Sequence, residues 1–320
     1  MLTTRFTERF ALTHPIALAP MDKVAGGALA ASVADAGGLG IIGGGYGDQR
    51  SIVEQLSIAG DAPVGIGLII WSVLDKPELI EWCLSQKPKI MAFGFGDATE
   101  FIQRCKDAKV ATLWQVQTLA DAELAAAAGT DVIVAQGQEA GGHGQDRGLM
   151  SLLPAIRDQL GPEQIILGAG GIADGRGLAA ALMLGADGVM MGTRFWAAHE
   201  ANGLETAKAQ IIGNGGDETI RSSIFDIARN IPWPEPYTGR CIQNAFSRRW
   251  QDDIGSLREH GEEEQRRFND SPVDDFTIRP VIAGEAIDLI NSIESAQAII
   301  ERMVTEASGI LSASNQFVSS

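Results

Sequence analysis

The stretch Gln136-Gly-Gln-Glu-Ala-Gly-Gly-His-Gly144 carries the residue types of this chain best suited to chemistry. It follows an apolar run, Asp131-Val-Ile-Val-Ala135, with the length and composition of a buried strand. Gln136 ends the run with a polar side chain. The pair Gly141-Gly142 then lets backbone come close to a flat or anionic group, because glycine has no Cβ. His143 follows directly. An imidazole titrates near neutral pH, so a histidine presented at a strand end is placed to take or give a proton. The competing reading of the same residues is a turn with a loop histidine bonded to backbone. The rest of the chain favours the chemical one.

Two further glycine clusters suit an anion. Gly168-Ala-Gly-Gly-Ile172 and Met191-Gly-Thr-Arg194 each follow an apolar run. Gly170, Gly171, Gly192 and Thr193 offer bare backbone donors and one hydroxyl, the chemistry of a phosphate-binding arrangement. No G-x-x-x-x-G-K motif appears, which disfavours nucleoside triphosphate hydrolysis. His14, His199 and His260 are scattered and no H-x-x-x-H pair accompanies His143, so metal catalysis has little support. No G-x-S-x-G elbow exists for a serine hydrolase. Glu139, inside the key loop, is expected to hold the loop through backbone bonds. Other strand ends contribute Pro20-Met21, Gly67, Trp71, Gln115 and Met191 as candidate ligand contacts. Trp71 and Trp114 are candidates to wall a flat ligand, with core packing as the default reading.

These residues need a frame that gathers strand ends. Short apolar runs begin at Ile16, Leu39, Val64, Ile90, Val110, Asp131, Gln164 and Gly188, and helical stretches separate them. Runs without polar alternation fit parallel strands covered on both faces. Eight such units in about 195 residues fit an α/β fold of the (β/α)8 barrel type, whose typical length is about 250 residues. A doubly wound sheet is the competing fold. In the barrel, active sites lie at the C-terminal ends of the strands, where the candidates above fall. After Phe195 the pattern changes. The expected division is residues 1–196 and 283–320 as the barrel, with 197–282 as a small helical insertion over its mouth. Within the insertion, Pro232, Pro234 and Pro236 exclude an ordinary helix over Asn230 to Tyr237. Phe246 to Phe268, including Glu262-Glu-Glu264, reads as a long solvated helical face. Ala283 to Leu311 reads as the eighth barrel helix.

The chain has 320 residues, a net charge of -16 and three widely spaced cysteines. The charge argues against nucleic acid and against an anionic membrane surface. The cysteines fit a reducing compartment, and no apolar run approaches the roughly 20 residues of a membrane span. No signal peptide is read in the first residues, so the expected location is the cytoplasm.

The loop Gln136 to Gly144, together with Gly168-Ala-Gly-Gly-Ile172 and Gly185-Ala-Asp-Gly-Val-Met-Met-Gly-Thr-Arg-Phe195, resembles the nitronate monooxygenases, formerly called 2-nitropropane dioxygenases. Ala19-Pro-Met21 and Ala283-Gly-Glu-Ala-Ile-Asp-Leu-Ile290 fit as well, so the resemblance spans nearly the whole chain. It implies a barrel with non-covalent FMN. Met21 would lie by the flavin ring, Gln136 and Gly141 would contact FMN, and Gly170, Gly171, Gly192 and Thr193 would hold its phosphate. Pro20, Gly67, Gln115, Gly142 and Met191 complete the expected cofactor set. His143 matches the base that acts on neutral nitroalkanes or positions the anionic nitronate. The expected partners are this small-molecule substrate and O2, giving a carbonyl compound and nitrite, with a homodimer as the open expectation for assembly. One position departs: many bacterial members carry asparagine where this chain has Gly67, whereas fungal-type members are similar to it in having glycine. Two alternatives stay open. One is an FMN-dependent NAD(P)H oxidoreductase, either an enoyl-acyl-carrier-protein reductase or a quinone reductase, and the other is a flavin-binding partner protein without turnover.

Overall fold

Apolar runs of three to six residues leave no polar face for water, and the structure covers both faces of each. The computed structural model describes residues 2–314. Its strands are β1 (Ile16–Leu18), β2 (Ile41–Gly43), β3 (Gly65–Ile69), β4 (Ile90–Gly94), β5 (Ala111–Val116), β6 (Val132–Gln136), β7 (Gly142–Gly144), β8 (Ile165–Ala169), β9 (Gly188–Met191), β10 (Thr219–Ser222) and β11 (Thr238–Ile242). Eight of them pair in parallel in the order β1-β9-β8-β6-β5-β4-β3-β2. The two ends of this sheet meet ahead of β2. Leu18 N–H donates to the Leu39 carbonyl and Leu39 N–H to the Ile16 carbonyl, each at 2.9 Å. The sheet is thereby a (β/α)8 barrel, and the doubly wound alternative is set aside.

Side chains on successive strand residues point to opposite faces. One set, including Ala17, Ile41, Leu113, Val134, Leu167 and Met190, fills the barrel interior. The other set, including Ile42, Met91, Trp114, Ile133 and Met191, packs outward against the helices. Trp114 is therefore a core residue, as its default reading has it. The short helix Arg5–Phe10 adds a plug: Phe6 and Phe10, 0% and 4% exposed, join the interior set. Asp187, just before β9, fixes this floor. Its carboxylate accepts from Arg5 Nε at 2.9 Å, Arg157 Nη2 at 2.7 Å and the Ile166 amide at 3.0 Å.

The eighth helical position belongs to Ala296–Ser312, started by the Ser295 side chain. It packs against the helices Gly175–Met183 and Gly27–Asp35. Glu306 on this helix accepts from the Gly175 amide at 2.8 Å, and a Cβ on Gly175 would stand only 2.5 Å from the Glu306 Cβ. The two helices approach this closely because the residue there is glycine.

Segment 197–282 differs from a purely helical insertion. It contributes β10 and β11, which join β7 in an antiparallel sheet of order β10-β11-β7. The expected long helix over Phe246 to Phe268 is three short ones, Ala245–Trp250, Ile254–Glu259 and Gly261–Asp270. Asn244 caps the start of the first, and Asp253 caps the second where a single helix would have continued. Phe225, Phe246, Trp250, Leu257 and Phe268 give this segment a small core of its own. The acidic run is also not uniformly solvated. Glu262 and Glu263 are exposed, but Glu264 is 3% exposed and lies 3.3 Å from Arg249 Nη1. Among the described residues no helix is long and apolar enough to cross a membrane.

Asp187 anchors two arginines at a buried position, and removing one partner of a buried ion pair leaves the other charge uncompensated. Asp187→Ala should lower stability by about 3 kcal/mol, read as a reduced urea midpoint at an unchanged slope. An unmoved midpoint would show that the floor does not depend on this carboxylate.

Candidate active site

At the mouth of the barrel the end of β6 turns into the histidine loop. Gln136, 6% exposed, connects them. Its Oε1 accepts from Gln115 Nε2 at 3.1 Å and Gln117 Nε2 at 2.7 Å, and its own Nε2 donates to the His143 carbonyl at 3.0 Å. Gly142 has φ +75°, a backbone state that a side chain disfavours, and it turns the chain into β7. Glu139 does what its position suggests: both carboxylate oxygens accept from the Leu149 amide, at 2.9 and 3.1 Å, at the start of helix Leu149–Leu160.

β7 does not stand alone. Gly142, His143 and Gly144 pair with Arg240, Gly239 and Thr238 of β11. Arg221, on β10, spreads its guanidinium over the loop. Its Nη atoms donate to the carbonyls of Gln138 and Ala140, both at 2.9 Å, and to those of Gly142 and Thr238. Arg240 Nε adds a second bond to the Gln138 carbonyl at 3.0 Å. Burial brings the Arg221 guanidinium down to about 10, which leaves it charged at neutral pH.

The His143 side chain is 9% exposed. Its Nε2 lies 2.9 Å from Asp226 Oδ2, and the other oxygen of Asp226 accepts from Arg229 Nη2 at 2.7 Å. Trp233 stacks on the imidazole with ring centroids 3.4 Å apart and planes within 6°. The Trp233 indole N–H donates to the Tyr46 phenol at 2.9 Å. Phe95 and Trp71 meet Trp233 edge-on at 5.0 and 5.3 Å, and Tyr237 meets Phe95 at 5.4 Å. Burial holds the His143 imidazole below the ordinary histidine value, outweighing the Asp226 hydrogen bond that raises it. The ring is thus neutral, and able to accept a proton, at neutral pH.

Beside this group a cavity opens over the strand ends. Pro20, Gly67, Leu68, Leu113 and Met190 line it with carbon, and Gln115 supplies an amide at its edge. Gly67 cannot carry a side chain here, because a Cβ would lie 2.2 Å from the Pro20 Cβ. The bacterial asparagine has no room in this chain. Strand alternation corrects one expectation: Met190 faces the cavity, whereas the Met191 side chain packs outward. Met21 is half-buried beside Gly192, its Sδ 3.4 Å from where a Gly192 Cβ would be.

The glycine turns converge next to it. Gly170 and Gly171 have φ +100° and +69° in succession. A Cβ on Gly170 would lie 3.0 Å from both the Gly137 carbonyl oxygen and the Ala140 amide. Thr193 Oγ1 accepts from the Gly284 amide at 3.0 Å, and a Cβ on Gly141 would meet Gly284 N at 2.7 Å. Gly141, Gly170, Thr193 and Gly284 therefore sit around one small region of bare backbone. Gly284 falls in the stretch expected to begin the eighth barrel helix, but it lies ahead of that helix, which starts at Ala296. Asp226, Arg221, Trp233, Tyr46 and Phe95 are the site residues that sequence reasoning missed. The proline-flanked Trp233 was their one visible signal, since an aromatic on a segment that can be neither helix nor sheet has to pack somewhere.

Residues 72–233 match the family model for nitronate monooxygenase. A nitronate monooxygenase of Neurospora crassa is 33% identical to this chain over 90% of its length and 88% of the relative's. A second, from Metarhizium robertsii, is 33% identical over 92% of this chain and 90% of its own. Among solved structures, FabK from Thermotoga maritima superposes with a TM-score of 0.86 at 28% identity, covering 99% of this chain and 100% of that one.

Arg221 bonds the Gln138, Ala140 and Gly142 carbonyls of the loop, sharing the first with Arg240, and a hydrogen bond to a charged group contributes about 1.5–3 kcal/mol. Arg221→Ala should cost about 2 kcal/mol of stability, and Arg221→Lys should recover little, since an ammonium lacks the planar fork. Thermal unfolding of the two variants against the parent measures this. Equal stability of all three would mean that the loop holds itself.

Proposed function

This chain belongs to the nitronate monooxygenase family, and from that premise we propose that it oxidises alkyl nitronates, and neutral nitroalkanes, with O2 to a carbonyl compound and nitrite on a bound FMN. The observation that carries the reading is a buried, neutral imidazole set against Phe95, which itself lines the carbon-walled cavity over the strand ends.

The residues present fit a flavin. Pro20, Gly67 and Met190 would pack against one side of the flat ring, with the Gln115 amide at its edge for a polar rim. Met21, Gln136, Gly141 and Gly142 would contact the cofactor from neighbouring strand ends. Positive φ at Gly170 and Gly171 turns amides outward where side chains have no space, and Gly192 and Thr193 bring further donors. These four would hold the phosphate. FMN, when bound, supplies electron transfer and the reaction with oxygen.

The protein's own part is placement and proton handling. His143, uncharged, takes the proton from the carbon bearing the nitro group. A nitronate that arrives already ionised needs no base, and there the imidazole only orients it. The carboxylate nearest the imidazole, Asp226, is tied to Arg229 and so adds little repulsion against an anionic substrate. Tyr46, Trp71, Phe95, Trp233 and Tyr237 keep water from the imidazole, which strengthens every polar contact inside.

Anaerobic mixing of the yellow protein with a nitronate, and separately with NADH, tests the reading. Loss of flavin absorbance with the nitronate and none with NADH is expected. The reverse result would move the protein to the NAD(P)H-dependent reductases. In turnover, His143→Ala should lose about 10²–10⁴-fold on neutral nitroalkanes and much less on preformed nitronates. Full activity of that variant on the neutral substrate would remove His143 from the role of base.

A further inference from the structure

We propose that Asp226 is a positioning residue for the base: it keeps the imidazole proton of His143 on Nε2, so that Nδ1 is the atom that receives the proton of the substrate. The proposal rests on the reading of His143 as the base and extends it to the atom. An ionised carboxylate can only accept a hydrogen bond. Asp226 Oδ1 accepts from Arg229 Nη2 at 2.7 Å, and its Oδ2, an acceptor in the same ion pair, lies 2.9 Å from Nε2, which places the hydrogen on Nε2. Nδ1 has no hydrogen-bond partner among the described residues, so its lone pair is open.

The ring is held in this orientation on both faces. Trp233 covers one face at 3.4 Å, and Gly239 lies against the other, where a Cβ would be 3.4 Å from Nε2. The charged groups that bear on the ring are Asp226, which favours the imidazolium, and Arg229 and Arg221, which oppose it. The nearby phenols, Tyr46 and Tyr237, are pushed up by burial and stay neutral. Asp226 thus offsets part of the cost of charging a desolvated ring.

In the step itself, the bond between the substrate carbon and its hydrogen breaks and the proton goes to Nδ1. The electron pair left behind becomes the carbon–nitrogen double bond of the nitronate. The Nε2 proton stays on Nε2, shared with Asp226. Nδ1 returns its proton to solvent after the product leaves. Asp226 comes from segment 197–282 and His143 from the barrel, so the base is assembled from two parts of the chain.

The test is nitrogen NMR of the flavin-loaded protein with labelled histidine, without substrate, at neutral pH. The His143 signals are identified by their loss in His143→Gln. A protonated Nε2 and an unprotonated Nδ1 are expected in the parent. In Asp226→Asn the amide can donate to Nε2, so the proton should move wholly or partly to Nδ1, and Asp226→Glu should restore the parent pattern. In turnover, Asp226→Asn should lose at least about tenfold more on a neutral nitroalkane than on its nitronate. The acidic limb of its pH profile, where the base becomes protonated, should move to lower pH, since an influence that raises the imidazole is removed. A parent protein with the proton on Nδ1 overturns the proposal even if no Asp226 variant folds, and so does an Asp226→Asn protein with unchanged signals and unchanged substrate ratio. Absence of turnover on either substrate, with the expected NMR pattern, would overturn the functional reading and leave the tautomer assignment standing.

Discussion

The site depends on an edge-to-edge pairing three residues long. β7 sits on the rim of the barrel, outside the parallel sheet, and among the described residues the one bond the barrel gives its backbone is from Gln136 Nε2 to the His143 carbonyl. Buried peptide groups left unpaired are costly, so the loop needs a second strand. β11 supplies it, and Arg221 and Arg240 close the remaining carbonyls. Once that sheet forms, the helix Ile224–Arg229 and the proline segment are fixed relative to the imidazole. Asp226 and Trp233 then reach it without further adjustment. The insertion is better described as the other half of the histidine loop than as a roof laid over a finished site.

The local charge of the site differs from that of the molecule. A chain of net charge -16 would be a poor host for an anion if its acids were spread evenly. They are not. Around the loop, Arg221, Arg229 and Arg240 converge, and the neighbouring acids are engaged: Glu139 with the Leu149 amide, Asp226 with Arg229, and Glu285 with Arg240 at 2.7 Å. Short-range contacts of this kind outweigh a distant surface charge that salt screens.

The barrel was legible because each strand is a continuous apolar run with its own helix, a signal that needs only local sequence. The His143 loop and the glycine turns were legible for the same reason, since bare backbone and a polar strand end announce themselves by residue type. Met191 shows the limit of that reading. Neighbouring methionines on β9 face opposite sides, and composition does not say which one is inside until the register with β1 and β8 is known. Asp226 and Arg221 were invisible because they lie about eighty residues beyond the residues they hold, and an aspartate or arginine in a polar stretch looks like any solvated side chain. Glu264 misled in the same way. It lies on the third of three short helices where one long helix was expected, the first break being marked by the Asp253 cap.

The placement of segment 197–282 between β9 and the helix Ala296–Ser312 also orders events during synthesis. The seam between helices Gly175–Met183 and Gly27–Asp35 stays unfilled until the whole intervening segment has left the ribosome. Contacts that close such long loops come late, because their ordering entropy precedes their reward. During that interval the nascent chain shows an apolar groove shaped for one amphipathic helix. Crowded polysomes offer that groove the same helix from a neighbouring chain, so exchange of Ala296–Ser312 between two molecules is the misassembly to which this architecture is most exposed.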